Sequence, residues 1–175
     1  MTRQFGFRCQ AARAAVVLAF LCLPAAAQAQ KLVFVVRHAE RADTGMSQMK
    51  GPADPPLSAR GEARAAKLAE MLRESGVSAI YVTEFRRTRD TAGPLAKKLQ
   101  LAIHQNPSGD TGALVRKLRG AHANDIVLVV GHSNTVPEII KALGGPPVKI
   151  AENDYDNLFI VVPATGTTTT IRFNP

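Results

Sequence analysis

Short apolar runs alternate along the chain with longer segments in which apolar residues recur every three or four positions. The runs predict strands at 32–36, 79–83, 101–104 and 126–130, and the longer segments predict helices at about 58–75, 86–99, 111–121 and 135–143. Strands that are joined through helices lie parallel in one sheet, with the helices covering its two faces. The pattern therefore predicts an α/β fold with three layers, α/β/α, and a mainly parallel central sheet.

Two further strand-like segments lie near the end of the chain, at 158–162 and 167–173, with turn residues at 164–166 between them. A connection this short favours a hairpin. We therefore expect an antiparallel C-terminal edge on the sheet, and a single domain over residues 30–175.

The predicted helices carry their own start and stop signals. Ser58 and Asp110 are placed as N-caps, because their side-chain oxygens accept hydrogen bonds from the first turn of a helix. Gly76 is placed to end the first helix. Pro94 lies inside the second helix and is expected to bend or restart it.

The N-terminal segment is expected to be removed. Three arginines precede an apolar stretch at 14–23, and small residues follow up to Ala29. This order is typical of a secretory signal peptide, and the apolar stretch is too short for a confident membrane span. We expect residues 1–29 to be cleaved off and the remaining domain to be periplasmic or secreted, with no stable membrane anchor; an uncleaved anchor is the alternative.

The positions of the cysteines and the net charge limit which kinds of catalytic site and which partners the protein can have. Cys9 and Cys22 both lie in the N-terminal segment, so the exported domain is predicted to have neither disulfides nor a thiolate nucleophile. Removing the three arginines lowers the formal net charge from +8 to +5, a basic excess that suits an anionic substrate. Aromatic residues are sparse before residue 150, so we expect no nucleic-acid partner.

Two histidines directly follow apolar runs. Arg37 and His38 come after the first predicted strand, and Gly131 and His132 come after the fourth. The carboxyl ends of parallel strands meet at one edge of a sheet, which is where ligands bind in α/β proteins. Histidine is easily poised near neutral pH, and an adjacent guanidinium suits an anion. The other histidines are expected to be surface or structural residues: His104 and His122.

A third signal is the segment 83–92, which places Arg86, Arg87 and Arg89 at the start of a helix. Arginine there opposes the helix dipole at a cost of roughly a few tenths of a kcal/mol. A solvated basic face is the alternative, but all three signals share one sheet edge and together favour an anion pocket. The histidines are also conceivable metal ligands. No carboxylate is placed beside both by spacing, however, so we expect no metal and no cofactor.

In their order these elements resemble the histidine phosphatase superfamily, with its phosphoglycerate-mutase-like fold, in the smaller bacterial branch. The opening Arg-His-Gly of that family is represented here by Arg37, His38 and Ala39, with alanine in place of glycine. The family's leucine–serine/threonine–x–x–glycine helix start matches the segment 57–61, which reads Leu-Ser-Ala-Arg-Gly.

Two later elements complete the resemblance. The segment 83–92 is similar to the family's Ser-x-Leu-x-Arg-Ala/Thr-x-x-Thr-Ala element, which places the phosphate-binding arginine at Arg87. Gly131 and His132 match the second catalytic histidine and the glycine before it. Together the four elements span nearly the whole chain after the N-terminal segment.

The resemblance implies a mechanism by phosphoryl transfer. His38 would attack phosphorus and form a phosphohistidine that water hydrolyses. Arg37, Arg87 and His132 would hold the phosphoryl oxygens and stabilise their charge without a metal ion. Substrate binding is expected from the residues around that group: Arg37, Arg87, His132, Glu84 and Ser133.

The proton donor to the leaving group is less clearly marked. In many members of the family a glutamate follows the second arginine element, and between residues 92 and 124 this chain offers only Asp110 as an acid. Glu40, two residues after the nucleophile, and Glu84 are the other candidates. We assign the general acid to Asp110. A substrate whose leaving group is already a stable anion needs none.

These features predict an exported, metal-independent phosphatase that hydrolyses a phosphomonoester or a phosphoramidate. Its partner would be a phosphorylated small molecule or an envelope sugar, and the segments 41–56 and 150–157 would shape the pocket. A phosphoglycerate-type mutase and a non-catalytic anion-binding module are the alternatives. The oligomeric state is not predicted.

Overall fold

The computed structural model describes residues 32–42 and 54–175. The predicted signal peptide and most of the segment 41–56 lie outside the described residues. The described part contains six strands and four helices, in the chain order β1 Leu32–Arg37, α1 Ala59–Leu72, β2 Val77–Val82, α2 Arg86–Leu99, β3 Ile103–Gln105, α3 Thr111–Arg119, β4 Ile126–Gly131, α4 Thr135–Ala142, β5 Asn157–Val162 and β6 Thr167–Arg172. No helix in the described ranges combines the length and the apolar character needed to cross a membrane.

All six strands form one sheet in the order β3-β2-β4-β1-β5-β6. The first four are parallel, whereas β5 pairs antiparallel with β1 and β6 pairs antiparallel with β5. The predicted mainly parallel sheet with an antiparallel C-terminal edge is thus confirmed.

Alternate residues of the central strands belong to two hydrophobic cores, one on each face of the sheet. On β1, Phe34 and Val36 join the core formed with α1 and α2, whereas Val33 and Val35 join the core formed with α3 and α4. Successive side chains of a strand point to opposite faces, so a strand covered on both sides reads as a continuous apolar run. The three-layer α/β/α prediction is confirmed.

Most of the predicted start and stop signals are confirmed. The side chain of Ser58 accepts a hydrogen bond from Gly61 N at the start of α1, and that of Asp110 accepts one from Ala113 N at the start of α3. Gly76 has a φ of 78° in the turn between α1 and β2, a conformation that glycine adopts without strain. By contrast, α2 is not restarted at Pro94, because a proline removes one helix hydrogen bond and the rest of the ladder can continue.

Two glycines permit close approaches that position the residues after β1 and β4. A Cβ on Gly61 would collide with the carbonyl oxygen of Glu40, and that oxygen also accepts the backbone N–H of Ser58 at 2.9 Å. A Cβ on Gly131 would lie 2.7 Å from Oγ1 of Thr135. The start of α1 is therefore docked against the loop that follows β1, and β4 turns sharply into α4.

The strand register brings the predicted functional segments together. Arg37 at the end of β1 pairs with Gly131 at the end of β4, and Val82 at the end of β2 pairs with Val130. The residues that follow these three strands consequently meet at one edge of the sheet.

Candidate active site

The carboxyl ends of β1, β2 and β4 open into a cleft of about 600 Å³. Both histidines predicted from strand ends lie in it, and their ring centroids are 5.3 Å apart. The cleft is lined by residues from five loops and helix starts: Arg37, His38, Arg41, Phe85, Arg87, Ser108, His132, Ser133, Asn134, Ile150 and Glu152.

His38 is held as a neutral ring with one defined tautomer. Its Nδ1 lies 2.8 Å from the carbonyl oxygen of Ala39, and because a carbonyl only accepts hydrogen bonds, Nδ1 carries the proton. Burial lowers the pKa of His38 to about 3; the bond to Ala39 opposes this shift, and the charge of Arg87 reinforces it. At neutral pH Nε2 therefore carries an unshared electron pair.

His132 is oriented through a chain of hydroxyl groups. The Thr88 hydroxyl donates to the Phe85 carbonyl at 2.7 Å, so the Thr83 hydroxyl, 3.0 Å from Thr88 Oγ1, donates to Thr88. Thr83 Oγ1 then accepts the Nε2 proton of His132 at 2.9 Å, while Arg87 Nη2 lies 3.4 Å from Nδ1 of the same ring. Burial and then the charge of Arg87 lower the pKa of His132 to about 4. The ring is thus neutral, with Nδ1 facing Arg87.

The two arginines predicted to bind phosphate each keep a donor unused. Arg37 Nε and Arg87 Nε are buried and have no hydrogen-bond partner within the described part of the chain. Burial lowers the pKa of both guanidinium groups, which still remain charged. An unpaired buried donor is unfavourable, so both groups favour an anion with acceptor oxygens.

In residues 32–42 and 54–175 no three His, Cys, Asp or Glu side chains converge in a way that could hold a metal ion. The cleft lining includes guanidinium and imidazole side chains, which attract an anion, and the backbone at the start of α4.

The family model for the histidine phosphatase superfamily (branch 1) matches residues 33–108, from β1 through the arginine element at the start of α2 to Ser108 in the cleft. The second histidine stands beyond this match, beside the first one in space. Over residues 33–108 the chain is similar to the histidine phosphatase superfamily. The resemblance drawn from the four sequence elements is thereby confirmed.

Two solved phosphatase structures share the fold. An alpha-ribazole phosphatase from Shigella flexneri superposes with a TM-score of 0.64 and 16% identity, over 82% of this chain and 96% of that one. The protein histidine phosphatase SixA complexed with tungstate superposes with a TM-score of 0.60 and 20% identity, over 80% and 94% of the two chains. At such identities the likeness concerns the fold alone.

Sequence similarity to curated relatives is local. A probable phosphoglycerate mutase of Yersinia enterocolitica serotype O:8 is 35% identical over 75 residues, which are 43% of this chain and 35% of that relative. The chain thus spans about a third of the length of the curated relatives it matches.

The structure does not bring two of the predicted catalytic carboxylates to the cleft. The side chain of Asp110 caps α3 by accepting the N–H of Ala113 at 2.8 Å. Glu40 accepts two hydrogen bonds from Arg64, at 2.7 and 2.8 Å, and pairs with Arg60 at 3.1 Å. Burial alone would raise the pKa of Glu40, but these partners outweigh it and leave the pKa below its usual range. Neither Asp110 nor Glu40 lines the cleft.

Glu84 lies closer to the chemistry, but its carboxylate is occupied. It accepts the backbone N–H and the hydroxyl of Ser108, both at 2.8 Å. Burial would raise its pKa, yet hydrogen bonds from its own backbone and from Ser108 leave the pKa lowered. Glu84 therefore holds Ser108 at the cleft wall as an ionised acceptor. Ser133, also predicted to bind substrate, lines the cleft itself.

Three residues at the site were predicted only as members of the segments 41–56 and 150–157, which were expected to shape the pocket, and not as individual functional residues. Arg41 and Glu152 line the cleft, and Asp54 accepts the N–H of Arg86 at 2.8 Å beside the Arg87 guanidinium. Arg41 had a usable signal, since it lies three positions after His38. Glu152 belongs to a segment without periodicity that reaches the cleft only through the tertiary fold.

Proposed function

We propose that this protein is an exported phosphatase that hydrolyses a phosphomonoester or a phosphoramidate through a phosphohistidine on His38. One observation carries the proposal: the unprotonated Nε2 of a neutral His38 shares a cleft with two arginines whose buried Nε–H groups have no hydrogen-bond partner among the described residues. A nucleophile beside unpaired cationic donors suits attack on a phosphoryl group.

In the first step Nε2 of His38 attacks phosphorus, and the bond from phosphorus to the leaving group breaks with its electron pair on the leaving group. The Ala39 carbonyl keeps the Nδ1 proton in place and stabilises the positive charge that the ring acquires. Arg37, Arg87 and His132 stabilise the negative charge on the phosphoryl oxygens.

In the second step water attacks the phosphorus of the phosphohistidine. The P–N bond breaks, its electron pair returns to Nε2, and the proton of the water stays with the phosphate or passes to solvent. The ring of His38 is then neutral again, with the tautomer that began the reaction.

The hydrogen bonds made by the candidate acids narrow the range of leaving groups that a substrate of this cleft can have. Each of the three acids considered from sequence is tied up in hydrogen bonds, with the cap of α3, with Arg64 or with Ser108. This supports substrates whose leaving group departs without a proton from those acids, such as a phosphorylated imidazole or an acidic phenol. The proposal that the protein is exported depends on the signal-peptide pattern of residues 1–29. The proposal that its substrate is an envelope sugar or a scavenged phosphate ester depends in turn on export.

A phosphoglycerate-type mutase is the second candidate, because the locally similar curated relative is named a probable phosphoglycerate mutase. A mutase returns the phosphoryl group to the substrate, whereas a phosphatase gives it to water. Incubation with a phosphorylated hydroxy acid distinguishes them: release of inorganic phosphate supports the phosphatase, and a positional isomer without free phosphate supports the mutase.

The central test compares purified wild-type protein with His38→Ala on 4-nitrophenyl phosphate. We expect the substitution to lower kcat by at least about a thousandfold, as loss of a nucleophile does elsewhere. The matched control is His104→Ala, which removes an exposed histidine outside the cleft and should leave kcat near wild type.

Three outcomes decide between the candidates. Phosphate trapped on the wild-type protein in an acid-labile, base-stable form supports the phosphohistidine. Equal turnover by wild type and His38→Ala would overturn the assignment of the nucleophile. Binding of inorganic phosphate without turnover of any ester or phosphoramidate would favour a non-catalytic anion-binding module.

A further inference from the structure

Residues 151–155, which carry no sequence motif, accept hydrogen bonds from the guanidinium of Arg37. Nη1 donates to three carbonyl oxygens, those of Ala151 at 3.0 Å, Glu152 at 2.6 Å and Asp154 at 3.3 Å. Nη2 donates to the hydroxyl of Tyr155 at 3.3 Å. The guanidinium carbon also lies 4.0 Å from the centre of the Tyr155 ring, within the range of a cation–π contact.

These hydrogen bonds determine which N–H donors of Arg37 remain available to a ligand. Nη1 meets three acceptors with two protons, and Nη2 donates one of its two protons to Tyr155, whereas Nε is buried without a partner in the described residues. Arg37 itself lines the cleft. Within the described residues, the N–H donors of Arg37 that remain for an anion are therefore the second one of Nη2 and that of the buried Nε.

Tyr155 also reaches the nucleophile. Its ring centroid lies 6.0 Å from that of His38, with the two planes inclined by 56°. Tyr155 does not itself line the cleft that contains both histidines. One aromatic side chain thus packs behind both the phosphate-binding arginine and the attacking ring.

We propose that Tyr155 is a positioning residue: its ring holds the Arg37 guanidinium in the place where the remaining N–H donors of that group bind a phosphoryl oxygen in the cleft. This inference rests on the proposed function of the cleft and deepens it. The ring face contributes more than the hydroxyl, because the hydroxyl makes one long neutral hydrogen bond whereas the whole guanidinium lies over the ring.

The test measures binding of inorganic phosphate at pH 7 by calorimetry, together with turnover of 4-nitrophenyl phosphate. Tyr155→Phe keeps the ring and should stay within about threefold of wild type for both. Tyr155→Leu removes the ring and should weaken phosphate binding by about 5–30-fold, the range expected for a partly desolvated cation–π contact. Tyr155→Met keeps most of the volume and should show the same loss, which covers the case of a leucine variant that fails to fold.

A double-mutant cycle separates positioning from general damage to the fold. If Tyr155 acts through Arg37, then Tyr155→Leu should have no further effect on phosphate binding in the Arg37→Ala background. An equal loss in both backgrounds, or a loss in Tyr155→Phe as large as in Tyr155→Leu, would overturn the proposal.

The cycle uses binding, so its failure is distinguishable from failure of the proposed function. A wild-type protein that binds phosphate and shows the coupling, but turns over no substrate, would overturn the phosphatase and support the positioning role. A wild-type protein that does not bind phosphate at all would overturn both.

Discussion

His132 donates its Nε2 proton to the hydroxyl of Thr83 across 2.9 Å, and this contact determines which nitrogen of the ring faces the cleft arginine. The hydroxyl can accept because its own proton is committed to Thr88. The tautomer of a residue at the centre of the site is therefore set by a threonine that directly follows a buried strand.

Replacing Thr83 by valine should lower kcat by about 10–100-fold, since the near-isosteric side chain cannot accept the Nε2 proton and the ring loses its fixed tautomer. Steady-state turnover of 4-nitrophenyl phosphate measures the effect. Thr83→Ser keeps the hydroxyl and serves as the matched control, expected within about threefold of wild type. Unchanged turnover in the valine variant would show that the hydroxyl does not orient His132.

Acidification should destabilise the fold through the two histidines of the cleft. Their pKa values, about 3 for His38 and about 4 for His132, lie below the 6.5 of an ordinary imidazole. As the pH falls through 6.5 the unfolded chain takes up protons on these rings, whereas the folded chain takes them up only near pH 4 on His132 and near pH 3 on His38. The free energy of unfolding should therefore fall between pH 6.5 and pH 4, by at most about 1.4 kcal/mol per pH unit for each ring.

Urea unfolding at pH 7 and pH 5 checks this linkage. Carboxylates also titrate on acidification, so the double variant His38→Gln, His132→Gln isolates the contribution of the two rings. Its loss of stability between the two pH values should be smaller than that of wild type. An identical loss in both proteins would contradict the lowered pKa values.

Glu40 should matter for stability rather than for the chemical step. It supplies the partner of Arg64, a buried guanidinium that also donates to the Phe173 carbonyl at 2.7 Å. Glu40→Ala leaves that charge unpaired and should lower the free energy of unfolding by about 3 kcal/mol. The kcat of the folded fraction should stay within about threefold of wild type.

Denaturant unfolding measures the first effect of this substitution, and turnover per folded molecule measures the second. The control is Glu70→Ala, which removes an exposed carboxylate 2.7 Å from Lys98 and should leave the free energy of unfolding close to that of wild type. A large loss of kcat in folded Glu40→Ala protein would restore Glu40 as a proton donor.

The rate should depend steeply on the leaving group. The three sequence-predicted acids are engaged elsewhere, so we expect the leaving oxygen to depart with much of its negative charge unless Glu152, a carboxylate of the cleft lining, protonates it. Across a series of substituted phenyl phosphates, kcat/KM should fall by roughly tenfold or more as the pKa of the phenol rises from about 7 to about 10. A flat dependence would instead show that a general acid protonates the leaving group.

The fold and the core of the site were predictable from local pattern. Continuous apolar runs mark strands that are covered on both faces, and residues placed directly after parallel strands necessarily share one sheet edge. His38, His132 and Arg87 could therefore be assigned to one site from the sequence alone.

The carboxylates could not be assigned in this way. Asp110 satisfies the N-cap position of α3, which was itself predicted, and one carboxylate does not serve both roles at once. Glu40 accepts hydrogen bonds from Arg64, which lies 24 positions away in sequence, and no short-range pattern predicts that pairing.

The sequence by itself determined the strands, their order around helices, and the histidines and arginines delivered at strand ends, because these follow from periodicities within one segment. The tertiary structure alone decided the ring tautomers, the engagement of the candidate acids and the grip of residues 151–155 on Arg37. Those depend on contacts across 114 or more positions in the case of Arg37, where the partner is chosen by packing and not by spacing along the chain.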